Sequence, residues 1–210
     1  MISHATVAAI FQTFAARNPE PETELVYTNN FTLLVAVVLS AQSTDTGVNK
    51  ATRELFFVAD TPQKMVRLGP DKIRNYIRTI GLTNTKAKNV YELSKILCEN
   101  YEGCVPAHRE DLEKLPGVGR KTANVVLNVA FNQPTMAVDT HIFRVSNRIG
   151  LTHAKTPRES EDQLLGCIPP QYLQHAHHWL ILHGRYICKA RTPNCSACPI
   201  AHHCTYFKTL

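Results

Sequence analysis

Phe31 to Ala41, the longest strongly apolar run of the chain, is apolar on every face a helix could present. Such a helix must be surrounded by protein, which puts it at the centre of a bundle. The run is too short to cross a bilayer, which takes about 20 apolar residues. The rest of the sequence also reads helical, and no useful stretch alternates apolar and polar residues with a strand's period. Pro19-Glu-Pro21 closes an opening helix over 3–17, and Thr61-Pro62 and Gly69-Pro70 start two more, over 61–68 and 70–80. Further helices are expected over 47–58, 84–100, 108–115, 120–131, 139–149, 156–167 and 171–188. The pattern predicts an all-α fold.

A chain of 210 residues supports one large or two small domains. A net charge of +6 favours a polyanionic partner. Met1-Ile-Ser-His-Ala is not a basic segment leading into an apolar one, so no signal peptide is expected. These features predict a soluble, cytoplasmic protein with no membrane partner. Three of the seven cysteines, Cys98, Cys104 and Cys167, are scattered; Cys188, Cys195, Cys198 and Cys204 fall close together. In a reducing compartment such a quartet points to a metal or cluster site more than to disulfides. Four thiolates satisfy either tetrahedral zinc or a [4Fe–4S] cluster. Zinc ribbons pair two C-x2-C units and this C-x6-C-x2-C-x5-C segment has one, so the spacing favours the cluster.

Leu115-Pro-Gly-Val-Gly-Arg-Lys121 reads as a tight connection between two helices. Gly117 and Gly119 can adopt angles closed to other residues and let another molecule's backbone approach. The helix that follows points its N–H groups at the loop, which makes an anion site, and Arg120 favours phosphate there. Its apolar set is Ala123, Val126, Leu127 and Ala130, and Lys121 lies roughly 160° from Ala123, off the buried stripe. An amine so placed can form a Schiff base with an aldehydic carbon. Asp139 opens the helix over 139–149, as an N-cap, a catalytic carboxylate or both. Arg144 and Arg148 form an i, i+4 basic pair on that helix. His175, His177 and His178 flank Trp179 and read as packing residues more than metal ligands.

With Leu39-Ser-Ala-Gln-Ser-Thr-Asp45, Ile80-Gly-Leu-Thr-Asn-Thr-Lys-Ala87, Val138-Asp-Thr-His-Ile-Phe-Arg-Val145, His178-Trp-Leu-Ile-Leu-His-Gly-Arg-Tyr186 and the cysteine quartet, these residues resemble the endonuclease III family of bifunctional DNA glycosylase/AP lyases, within the helix-hairpin-helix superfamily. The resemblance implies two helical domains with a DNA groove between them. A six-helix barrel with the hairpin would span 23–132, and an iron–sulfur domain would combine 1–22 with 133–210. It implies excision of oxidised pyrimidines from damaged double-stranded DNA by a monomer, with Lys121 as nucleophile and Asp139 as its carboxylate. Gln42 and Leu82 would enter the DNA stack; Gly117, Gly119, Arg120 and His141 would contact DNA. Cys188, Cys195, Cys198 and Cys204 would hold a [4Fe–4S] cluster, and an alkali cation would sit on the hairpin carbonyls. Ser43 departs from the apolar or small residue common at its position, and Thr83-Asn84-Thr85 varies the wedge loop. Rival readings are a mismatch-specific glycosylase of the same superfamily, which Lys121 disfavours, and a non-catalytic iron–sulfur DNA-binding protein, which Lys121 and Asp139 together disfavour.

Overall fold

The computed structural model describes residues 2–210; Met1, with which the expected iron–sulfur domain begins, lies outside them. The described residues form eleven α-helices and three short 3-10 turns, with no strand. None of these helices is long and apolar enough to cross a membrane. The chain divides into two compact units, Thr23–Phe131 and Met1–Glu22 combined with Asn132–Leu210. Helix α1 (His4–Arg17) therefore belongs with the last third of the chain.

In the Thr23–Phe131 unit, α2 (Asn30–Ser40) is the centre, and every residue from Phe31 to Leu39 is buried. Its start is fixed reciprocally: Thr32 N–H donates to Asn29 Oδ1, and Asn29 N–H donates to Thr32 Oγ1. Around it lie α3 (Asp45–Val58), α4 (Pro62–Leu68), α5 (Pro70–Tyr76), α6 (Thr83–Asn100), α7 (Arg109–Glu113) and α8 (Arg120–Phe131). Helices α4 and α5 are parted at Gly69, whose φ of 79° no ordinary residue takes easily.

In the other unit α1 presents Val7, Ile10, Phe11 and Phe14 on one stripe. They share a core with Ile142, Val145 and Ile149 of α9 (Thr140–Ile149), Leu164 of α10 (Pro157–Cys167) and Trp179 of α11 (Pro170–Tyr186). Trp179 is buried and its Nε1–H donates to Asn18 O at 2.8 Å. That bond ties the end of α1 to α11 and satisfies the one polar atom of the indole.

Candidate active site and cluster site

Helices α7 and α8 make the hairpin. Arg109 Nε–H donates to Asn124 Oδ1 at 3.0 Å, pinning one helix on the other, while Leu112, Leu115 and Val118 are buried. The two glycines, expected to act alike, do different things. Gly117 has φ +79°, and a Cβ on it would stand 2.8 Å from Asn89 Nδ2 and 3.2 Å from Val38 Cγ1. Its bare side is thus filled by α6 and α2, not by a ligand. Gly119 stays out of the left-handed region, and nothing lies within 4 Å of where its Cβ would be. Open space is on this side of the loop. The Gly119 carbonyl accepts from Ala123 N–H at 2.9 Å and so opens α8. A helix's first-turn N–H groups have no acceptor within the helix, and glycine offers no side chain to cap them. With the dipole's positive end they suit an anion.

Lys121 is exposed in this first turn and makes no hydrogen bond or ion pair with a described residue. Ala123, Val126 and Leu127 are buried on the opposite side, and Arg120 is half-buried next to the lysine. Asn124 and Asn128 are buried too, polar residues that the apolar pattern of α8 does not flag.

Asp139 belongs to the other unit. It is the N-cap of α9, in extended backbone, and Oδ1 accepts from Ile142 N–H at 2.8 Å. Capping fixes where the carboxylate points and leaves Oδ2 for other partners. His141 is half-buried, with Nδ1 3.3 Å from Arg144 Nη2. Gly184 of α11 is the neighbour that sequence reasoning missed: a Cβ on it would lie 3.0 Å from both His141 Cβ and Val145 Cγ2. Only glycine lets α9 and α11 come this close.

The basic pair of α9 faces the cysteine segment. Arg144 donates to Cys188 O through Nε (3.3 Å) and Nη2 (3.1 Å), and to Gly184 O at 2.9 Å. Arg148 donates to Lys189 O and Ala190 O, both at 2.8 Å, and lies over the Tyr206 ring. Its Nη1 is 3.7 Å from Cys188 Sγ. Helix α11 stops at Tyr186, two residues before the expected end, so Cys188 sits in the loop. Cys188, Cys195, Cys198 and Cys204 all line one small cavity, walled by Ile149, Ile200 and Phe207. Burial pushes the Cys198 and Cys204 thiols up from their ordinary range.

Gln42 and Leu82 lie in the Thr23–Phe131 unit with Lys121; both are exposed, and both hold positive φ, 54° and 57°.

Residues 35–170 match the family described as HhH-GPD superfamily base excision DNA repair protein. The endonuclease III of Rickettsia conorii is 59% identical, over 97% of each chain. The chain belongs to the endonuclease III family. The endonuclease III of Escherichia coli K12 is 54% identical over 90% of each chain. Among solved structures, a trapped endonuclease III–DNA covalent intermediate superposes with a TM-score of 0.92 at 43% identity, covering 100% of this chain and 99% of that one. A thermostable thymine-DNA glycosylase, 22% identical with a TM-score of 0.84, covers 98% of each chain and shares the fold.

Residues 188–204 match the iron–sulfur binding domain of endonuclease III. The donor set fits that group: four thiols border one largely apolar cavity. Among the described residues no three His, Cys, Asp or Glu side chains converge as they would on a single ion. A [4Fe–4S] cluster needs no such convergence, because each thiolate binds a different iron.

Proposed function

We propose that this protein is a base-excision repair enzyme that removes oxidised pyrimidines from double-stranded DNA and cleaves the strand at the resulting abasic site. The observation that carries the reading is Lys121, an exposed and unpaired amine in the first turn of the hairpin's second helix. The damaged nucleotide leaves the stack, at lower cost for a base that stacks or pairs poorly. Gln42 and Leu82 fill the gap and wedge the opposite strand, Leu82 as inserted apolar side chains do in other distorted duplexes. The amides around Gly117 and Gly119 hold a phosphate, with Arg120 and His141 beside the DNA and an alkali cation on the loop carbonyls.

Lys121 Nζ donates its lone pair to C1′. The new N–C1′ bond replaces the glycosidic bond, and the base leaves with a proton. Asp139 steadies the positive charge that develops on the sugar and assists proton transfer. The sugar ring then opens at C1′–O4′, a proton passing from the lysine nitrogen to O4′, and the resulting imine acidifies C2′; loss of a C2′ proton expels the 3′ phosphate by breaking C3′–O3′. Cys188, Cys195, Cys198 and Cys204 hold the [4Fe–4S] cluster, which when bound cross-links four positions of the last loop. The protein works in the cytoplasm, as a monomer on chromosomal DNA.

Borohydride trapping tests this. Wild-type protein with abasic duplex gives a covalent adduct after reduction, and Lys121→Ala gives none while still binding the duplex. Strand cleavage by Lys121→Ala at the wild-type rate would overturn the assignment.

A further inference from the structure

Gln42 and Leu82 both use a left-handed backbone angle that amino acids with a side chain avoid. Such angles persist only where the surroundings over-determine them. Gln42 directly follows the C-cap of α2, where Ser43 N–H donates to Ser40 O at 3.0 Å. Leu82 is the N-cap of α6 yet caps nothing with its side chain; Lys86 N–H donates to its carbonyl at 2.9 Å. Thr83 Oγ1 closes the same turn on Ile80 O at 2.6 Å.

One side-chain bond joins the two loops. Lys86 Nζ donates to Ser43 Oγ at 2.8 Å, across 43 positions of sequence. Lys86 is only 4% exposed. Burying a lysine sacrifices hydration and rotamer freedom, and burial holds its pKa below the usual lysine value. The loops also approach at the backbone: a Cβ on Gly81 would stand 4.0 Å from Gln42 O. The buried amine thus grips the residue after Gln42 while its backbone closes the turn that holds Leu82.

Building on the reading of Gln42 and Leu82 as the residues that enter the DNA, we infer that Lys86 is a positioning residue for damage recognition, holding both loops through Ser43 as one rigid pair. Lys86 touches no reacting atom; its effect falls on stack opening. Ser43, the departure from the family pattern, makes the bond specific to chains with a hydroxyl there.

The test compares Lys86→Met, which keeps the stem and removes the donor, with Ser43→Ala, which removes the acceptor, and with the double variant. Stack opening is followed by the fluorescence of 2-aminopurine placed opposite a thymine glycol, and excision is measured in single turnover. Each single variant should lower the fluorescence rise and slow excision about tenfold, the loss of one charge-assisted hydrogen bond. The double variant should be no slower than either single, with affinity for undamaged duplex unchanged. Wild-type fluorescence and excision in both single variants, or losses that add in the double variant, would overturn the inference. If Lys86→Met does not fold, Ser43→Ala decides alone. Gln42→Ala and Leu82→Ala run in parallel. If they leave the fluorescence untouched, the insertion reading fails; if they abolish it while Lys86→Met does not, only the role of Lys86 fails.

Discussion

Arg144 and Cys188 stand 44 positions apart, yet two nitrogens of the guanidinium hold the cysteine's carbonyl, at 3.1 and 3.3 Å. With Arg148 on the next two carbonyls, α9 is clamped along one side to the segment that carries the cysteines. Asp139 caps the same helix.

The clamp predicts that damage to the cysteine segment reaches α9. Arg148→Ala deletes two carbonyl bonds and the Tyr206 contact, and should cost about 2 kcal/mol. Chemical denaturation would measure it, and faster iron loss under a chelator should accompany it. Unchanged stability and iron retention would refute the clamp.

Asp139 combines a cap with a charge, and two variants separate them. Asp139→Asn keeps an acceptor for Ile142 N–H, so its thermal midpoint should stay near wild type while glycosylase turnover falls at least tenfold. Asp139→Ala should lose turnover and also about 1 kcal/mol of stability. Full turnover in the Asn variant would leave Asp139 as a cap alone.

The hairpin glycines give opposite expectations. Gly117→Ala combines a left-handed angle with a clash on Asn89 and Val38, and should destabilise by about 2 kcal/mol or more. Gly119→Ala meets nothing and should fold normally, but its methyl stands in the open space where a phosphate would approach, so duplex affinity should drop. A fluorescence titration beside a thermal melt distinguishes the two.

Acid should destabilise the protein through His178. Burial, helped by His175, pushes its pKa down from 6.5 to about 4. The unfolded chain therefore binds this proton more readily than the folded one. The stability is complete above pH 6.5 and is lost as pH falls through the interval to 4, by about 3 kcal/mol. His178→Gln should lessen the fall of stability over that window, leaving the share of His183, which burial also pushes down to about 4, as denaturation at pH 7 and pH 5 would show. An unchanged slope would assign the acid sensitivity elsewhere.

The helices were legible where the signal is local. Phe31–Leu39 is apolar all round and is buried all round; Lys121 lies off the stripe of α8 and is exposed. The cysteine quartet announced itself by spacing alone. What stayed hidden depends on residues distant in sequence. Gly117 reads as room for a ligand until Asn89 and Val38 are found filling its bare side. Nothing local in the sequence marks Lys86 as buried, because its partner, Ser43, lies 43 positions earlier. Arg144 and Arg148 show a basic pair at helical spacing, but nothing local says that backbone carbonyls of a later loop will receive it.

Asn18 and Trp179, bonded across 161 positions, imply an order of events during synthesis. The stretch Thr23–Phe131 has all its internal partners once Phe131 has emerged from the ribosome. Helix α1, made before the other helices of its unit, must wait for α11 before its apolar stripe is covered. The hairpin-bearing unit can thus mature while α1 is still uncovered, and the four thiols of the cysteine segment are complete only after α11 has been made.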